Sequence, residues 1–273
     1  MKESDIRAVL ALHCAFLVGT FCSDYRVTPS GHLVLSDLIT DPYYNFFCPD
    51  TGFTQARVAG IQRDFDEHGR GTSLYATPIS PLPQGVLAGL SPYAHDSWMI
   101  RETRPRDELA ERTGIEVESV DGDAREDFLS VFSSAYSSDD AVALYGPLDD
   151  AYVHALGRSL TTPDPGRQKF HLLARKDGTP AGCVVLTVAG EYAAAYALGT
   201  AADARRQGVG RALMSECSAL AREKGAGQLF LQTETGSAAE WWYRTLGYRE
   251  IFHATCYAAP GEAAGTHPTP DNT

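Results

Sequence analysis

A strand-like run from Tyr192 to Leu198, a loop holding Arg205-Arg206-Gln207-Gly208-Val209-Gly210-Arg211, and an amphipathic helix pattern reaching about Lys224 follow one another in this chain. No other stretch restricts the fold as tightly. Two glycines one residue apart at a helix start let backbone N–H groups converge on an anion, and the helix dipole adds favourable potential for phosphate at the same point. A strand, a phosphate-gripping loop and a helix packed back onto the strand make one unit of an α/β sheet. The first question is therefore which pyrophosphate-bearing cofactor the loop holds. Its spacing excludes two readings. G-x-G-x-x-G is absent, and no acidic residue follows at the distance that a dinucleotide fold requires. The Gly-Lys-Ser/Thr of a nucleoside-triphosphate loop is absent as well.

The residues around this unit extend it. Ile115–Val120 alternates apolar and acidic residues, as a half-exposed strand does. Asp123 is expected to cap a helix carrying Phe128, Leu129 and Phe132, and a second helix is expected to start near Asp149 with Tyr152, Val153, Leu156 and Leu160. Phe170–Arg175 and Ala181–Ala189 flank Lys176-Asp177-Gly178-Thr179, a strong hairpin signal. After the glycine loop, Val209, Leu213, Cys217, Leu220 and Ala221 share one helix face. Leu229–Gln232 reads as a strand, Ser237 caps a helix through Leu246, Gly247 stops it, and Tyr248–Tyr257 returns as a final strand. The order β-α-α-β-β-β-α-β-α-β predicts a mixed sheet with helices on its faces. Upstream, Val58–Glu67 as helix, Ser73–Thr77 as strand, Val86–Leu90 as helix and Ser97–Arg101 as strand repeat the order of Ala212–Phe252, without the glycine loop. Arg101–Arg112, dense in charge, reads as a connector or a solvated helix.

Charge narrows the partners. A formal net charge of −12 argues against a nucleic-acid backbone or an anionic membrane, and it is compatible with a cationic amine substrate. The six cysteines form no C-x-x-C pair and no zinc-like cluster, so no metal is expected, and reduced thiols in a cytoplasmic protein are. Ala8–Val18 is apolar but too short to span a bilayer. It follows Glu3 and Asp5 rather than basic residues, and Ser4 reads as the N-cap of an amphipathic helix.

Two motifs in this order resemble the GNAT superfamily of acyl-CoA-dependent N-acetyltransferases. Arg205-x-x-Gly208-x-Gly210 matches that family's Q/R-x-x-G-x-G/A pyrophosphate loop. Ala239-x-x-Trp242-Tyr243-x-x-x-Gly247-Tyr248 resembles its A-x-x-L-Y-x-x-x-G-F element at the usual distance downstream. The resemblance covers about Ile115–Ala258. It implies an α/β (mixed α+β sheet) fold with a GNAT-like domain over residues 113–258, a smaller degenerate GNAT-like domain over 1–106, and a disordered tail over 259–273. It also implies acetyl-CoA as co-substrate.

By the same resemblance, Leu198, Gly199 and Thr200 would offer backbone groups to the pantetheine arm and acyl carbonyl. The N–H groups of Arg206, Gln207, Gly208, Val209, Gly210 and Arg211 would surround the pyrophosphate, with charge from Arg205 or Arg206. Tyr243 would protonate the departing thiolate, which is costly to release bare into a low-dielectric cleft. One position departs from the family: Gly236 stands where the family often has an asparagine that contacts the cofactor.

The base that frees the amine is open among Glu234, just past a strand carrying Gln232, Tyr196 and His171 on strands, and a water chain; Glu191 sits too far out in its turn. Ser133–Asp150 is expected to border the acceptor cleft, with Tyr136, Asp139, Asp140 and Tyr145 receiving a cationic amine. Asn45-Phe46-Phe47 and Trp98 are expected to pack in the N-terminal unit. The function expected is transfer of acetyl to a primary amine of a small molecule. A non-catalytic acyl-CoA-binding sensor and a protein or peptide N-acetyltransferase are the alternatives. Monomer and homodimer both stay open.

Overall fold

The computed structural model describes residues 2–50, 52–106, 114–139, 141, 146–162, 164 and 166–259. Its N-terminal half supplies α1 (Glu3–Leu17), β1 (Asp24–Thr28), β2 (Gly31–Leu35), β3 (Phe46–Pro49), α2 (Gln55–Glu67), β4 (Ser73–Ala76) and β5 (Ser91–Glu102). The C-terminal half supplies β6 (Ile115–Ser119), α3 (Arg125–Tyr136), α4 (Asp150–Ser159), β7 (Gln168–Lys176), β8 (Thr179–Ala189) and β9 (Tyr192–Thr200). It continues with α5 (Val209–Glu223), β10 (Gln228–Glu234), α6 (Ala238–Thr245) and β11 (Arg249–Ala258). From β6 to β11 this is the element order read from the hydrophobic pattern.

All of these strands join one mixed sheet in the order β1-β2-β3-β4-β11-β5-β10-β9-β8-β7-β6. The halves share a plan. In each, an antiparallel pair (β2–β3, β8–β9) leads into a parallel crossover through a helix (β3–α2–β4, β9–α5–β10). They also interlock, because β5 lies between β10 and β11 while β11 lies between β4 and β5. Both neighbours of β5 thus come from the C-terminal half, and its backbone hydrogen bonds are made there.

Alternation along the strands sorts the core onto two faces. On one face Phe16 of α1, Phe128 and Phe132 of α3 and Leu156 of α4 pack against Trp98, Val185 and Phe230. On the other, Val209, Leu213 and Cys217 of α5 pack against Met99, Val184 and Leu229, and Ile61 and Phe65 of α2 pack against Leu33, Phe47 and Leu74. Asn45, Phe46, Phe47 and Trp98 are buried as expected. All six cysteines are free and buried. Among the described residues no helix is long and apolar enough to cross a membrane.

Several local expectations change. Ser4 lies inside α1, whose N-cap is Lys2. Asp123 sits in a short 3-10 turn ahead of α3, which has no side-chain cap. Residues 86–89 form turns rather than a helix, since so short a run between Pro83 and Gly89 (φ 84°) cannot repay helix nucleation. Arg101 belongs to β5, where its guanidinium donates to the carbonyls of Leu246 (2.8 Å) and Met214 (3.1 Å). Asp149 and Ser237 cap α4 and α6 as read. Nearly all of the 259–273 tail lies outside the described residues.

Candidate functional site

The site begins where two parallel strands part. β9 and β10 pair only from Gln228↔Tyr192 to Phe230↔Ala194, and beyond that they diverge. A bulge in β9 helps to open the notch. Cys183 faces Gly199 and Val185 faces Tyr196, so Ala197 and Leu198 stand opposite one residue of β8. Ala197 takes φ 52° there, and a bulge of this kind releases backbone groups from the ladder. Gly199 is required by packing, since a Cβ there would lie 2.9 Å from the Ala135 Cβ of α3. The Tyr136 hydroxyl then donates to the Leu198 carbonyl at 3.1 Å, fixing the bulge to the end of α3.

Beyond β9, α5 starts with its N-terminus open. Gly208 takes φ 92° as N-cap, and no side chain caps the helix. Arg206 also has positive φ, 59°, so left-handed backbone alternates with helix at the head of α5, a geometry that turns successive N–H groups inward. A Cβ on Gly210 would lie 3.2 Å from the Trp242 ring of α6. On the sheet side, a Cβ on Gly182 of β8 would lie 2.4 Å from Val209 Cγ1, so the first turn of α5 rests directly on strand backbone. The Arg205 guanidinium turns to the end of α3, donating to Ser138 Oγ (2.6 Å) and the Ala135 carbonyl (3.1 Å). It shares the negative end of that helix. Arg206, Gln207 and Arg211 are exposed; Gln207 donates to the Asp203 carbonyl at 2.6 Å and accepts from Lys176.

The notch leads into a cavity of about 420 Å³ on the α1–α3–α4 face of the sheet. Leu198, Glu234 and Tyr243 line it, and so does Tyr136. Tyr243 projects from α6 with only 9% of its surface exposed, its ring edge-on to Tyr248. The far wall comes from the N-terminal half, through Asp41, Tyr43, Tyr44, Tyr93 and Asp96. Among the described residues four carboxylates (Asp41, Asp96, Asp149 and Glu234) line the cavity, and no lysine or arginine does.

Asp96 and Glu234 are register partners on β5 and β10, so both side chains leave the same face of the sheet. Asp96 is buried. The Tyr43 hydroxyl donates to both of its oxygens at 2.9 Å, and the Tyr75 hydroxyl donates to Oδ2 at 2.5 Å. The Trp98 indole N–H donates on to Tyr75 at 2.8 Å, and Gln232 Nε2 to Tyr43 at 2.7 Å. Burial pushes the Asp96 carboxyl up to about 7, against the pull of the tyrosine hydroxyls, and Glu234 adds to the rise. A further tyrosine–carboxylate bond, Tyr152 of α4 to Asp41 at 2.6 Å, joins the halves.

Residues 167–250 match the family model of the acetyltransferase (GNAT) domain, a span holding the notch, the open α5 terminus and Tyr243. Over that span the chain is similar to GNAT acetyltransferases. Solved structures share the fold over nearly the whole chain. A GCN5-related N-acetyltransferase of Kribbella flavida is 20% identical, covering 95% of this chain and 96% of its own, with a TM-score of 0.68. A conserved Staphylococcus epidermidis protein of unknown function is 13% identical over 88% and 94%, with a TM-score of 0.61. A tandem GNAT protein from the clavulanic acid biosynthesis pathway is 13% identical over 88% and 80%, with a TM-score of 0.53. No curated protein matches the sequence.

The cavity and its surroundings sort the remaining candidates. His171 packs away from the cavity, its Nε2 within 2.7 Å of Ser159 Oγ and its ring edge-on to Phe128; burial holds it neutral, near 4. Tyr196 lines the cavity and meets His13 Nδ1 at 3.0 Å, and burial raises its phenol well above the usual range. Glu191 stays in its turn, where its carbonyl accepts from Gly227 and Gln228. Gly236 takes φ 77° and donates its N–H to Glu240 Oε2 at 2.6 Å, so this position serves the start of α6. Asp139 falls outside the cavity lining; Tyr145 and Asp140 lie outside the described residues. Among the described residues no group of His, Cys, Asp or Glu gathers as for a metal. Sequence reading missed Asp96, Tyr43 and Asp41. A signal for Asp96 did exist, an acid directly ahead of the strand-like Ser97–Arg101, but nothing in the sequence says that β5 sits beside β10.

Proposed function

We infer that this protein transfers the acetyl group of acetyl-CoA to a primary amine of a small molecule, by direct attack in a ternary complex. The reading rests on one observation above all: the notch beside the open α5 terminus runs straight into a cavity lined, among the described residues, by four carboxylates and by no lysine or arginine. Acyl transfer to an amine needs both parts. Coenzyme A fits the first. Its pyrophosphate would meet the N–H groups of residues 206–211, where Gly210 leaves room that a Cβ would fill, and its pantetheine would follow the backbone of Leu198, Gly199 and Thr200 along the notch.

The acceptor fits the second part. An ammonium is drawn to the carboxylates, and an apolar or aromatic body is accommodated by Tyr44, Tyr93, Phe132 and Tyr136 through ring contacts and cation–π attraction. Tyr243, facing the notch from α6, would give its hydroxyl proton to the departing thiolate, and backbone N–H groups near Leu198 would polarise the acyl carbonyl. Thiol release from acetyl-CoA in the presence of phenethylamine, tyramine and spermidine tests the reading. Amine-dependent release is expected. Tight acetyl-CoA binding with no release above the buffer rate would replace it with the sensor role.

A further inference from the structure

Burying an ionisable carboxylate in an apolar wall costs free energy unless something compensates it, yet Asp96 is only 3% exposed. Among the described residues no lysine or arginine hydrogen-bonds or pairs with it. The groups facing it are Tyr43 from the turn before β3, Tyr75 from β4, Glu234 from β10 and Cys256 from β11. Past Trp98, His13 of α1 is held neutral by burial. Two tyrosine hydroxyls orient the carboxylate, and the cavity is left to supply positive charge. Gln232 carries a second, independent sign. Its Nε2 is used by Tyr43, while its Oε1 is buried with no hydrogen-bond partner. An unsatisfied acceptor beside two carboxylates asks for a donor with several N–H bonds.

We propose that Asp96 is the proton acceptor of the transfer reaction, with the acceptor's ammonium docking among Asp96, Glu234 and the Gln232 Oε1. The assignment rests on the acyl-transfer reading above. One N–H bond of the ammonium breaks and one O–H bond forms on Asp96, so R–NH3+ and a carboxylate become R–NH2 and a carboxylic acid. The amine lone pair then attacks the thioester carbon. As the C–S bond breaks, Tyr243 gives its proton to the thiolate and the second N–H proton passes from the nitrogen to the Tyr243 phenolate, which restores the phenol, while the proton on Asp96 returns to solvent through the cavity. The catalytic base thus comes from the half that lacks the glycine loop. Strand exchange delivers it, since β5 reaches the cavity by lying beside β10. Glu234, in its line of register, holds the ammonium and raises the basicity of Asp96.

The test is the pH dependence of kcat/KM for thiol release with phenethylamine and tyramine, repeated with methoxyamine, whose nitrogen is unprotonated at neutral pH. The wild-type rate is expected to rise with pH through a limb near 7, set by the buried carboxyl. Asp96→Asn should remove that limb and lower the neutral-pH rate by about 100-fold or more, leaving KM for acetyl-CoA unchanged and recovering most of the loss with methoxyamine. Tyr43→Phe deletes one hydrogen bond to the carboxylate and should move the limb upward by up to about one pH unit. That variant decides the question if Asp96→Asn fails to fold. A limb that survives Asp96→Asn, or stays in place in Tyr43→Phe, overturns the assignment and leaves acyl transfer standing. A limb removed by Glu234→Gln alone would hand the role to Glu234. No thiol release from wild type with any of the amines overturns acyl transfer and this assignment together.

Discussion

Replacing Asp96 by asparagine should make the protein more stable above neutrality, with an effect that grows with pH over a defined window. In the native state the Asp96 carboxyl is raised from an ordinary 3.8 to about 7, first by burial. Between those values the folded protein binds more protons than the unfolded chain, so stability falls as pH rises through the window and is constant outside it. At about 1.4 kcal/mol per pH unit, the whole window is worth about 4 kcal/mol, and the part from about pH 5 to about pH 7 is worth about 3 kcal/mol. His13 and His171, held neutral near 3 and 4 by burial, act in the opposite sense, as stability they remove at low pH returns when pH rises. Both are present in wild type and variant, so the difference between the proteins isolates Asp96. Denaturant melts of the two proteins at about pH 5 and about pH 8 should show the gap moving by about 3 kcal/mol in favour of Asp96→Asn, or roughly 5–10 °C in a thermal melt of a chain this size. A gap equal at both pH values would refute the reasoning, because it would mean that Asp96 is solvated or ionised throughout. A variant that gains stability while losing turnover is the trade expected of a strained functional group.

Three further outcomes follow from other contacts. Tyr243→Phe should lower kcat by about 100-fold or more and leave the calorimetric affinity for coenzyme A nearly unchanged; unaltered turnover would remove its role as acid. Gly182→Ala places a methyl 2.4 Å from Val209 Cγ1 and 2.9 Å from Leu213 Cδ1, which should cost about 1–3 kcal/mol in a urea melt, and an unchanged midpoint would contradict the close seating of α5. Gly210→Ala places its methyl 3.2 Å from the Trp242 ring at the mouth of the proposed phosphate site; it should weaken coenzyme A about tenfold, or about 1.4 kcal/mol, with a smaller loss of stability, and undiminished affinity would move the phosphate elsewhere.

The C-terminal half was readable because its signals are local. The apolar run from Ala181 to Ala189, the Asp177-Gly178 turn with both residues at positive φ, the Ser237 cap and the Gly247 stop each act within a few residues, as their physics does. In the N-terminal half α2, β4 and β5 were readable for the same reason, whereas β1 to β3 were not read and the helix expected at Val86–Leu90 is a run of turns. The misreadings were local as well. At Ser4 and Asp123 a side chain suited to capping lies one or two residues from where the helix starts, and packing of Ile6 and Phe128 into the core sets the boundary instead.

By itself, then, the sequence determined the kinds of elements, their order, the glycine-marked head of α5 and the tyrosine of α6. It determined them because a strand's alternation, a helix's period and a glycine's freedom at positive φ are properties of neighbouring residues. The tertiary structure alone decided which strands lie side by side. By placing β5 between β10 and β11 it brought Asp96 opposite Glu234 across 138 residues of chain, and it buried that carboxylate among tyrosines from elements that no local pattern links. Register and burial across so long a separation come from burying shared apolar faces. The carboxylate-bearing wall of the cavity is therefore a product of the interlocked halves.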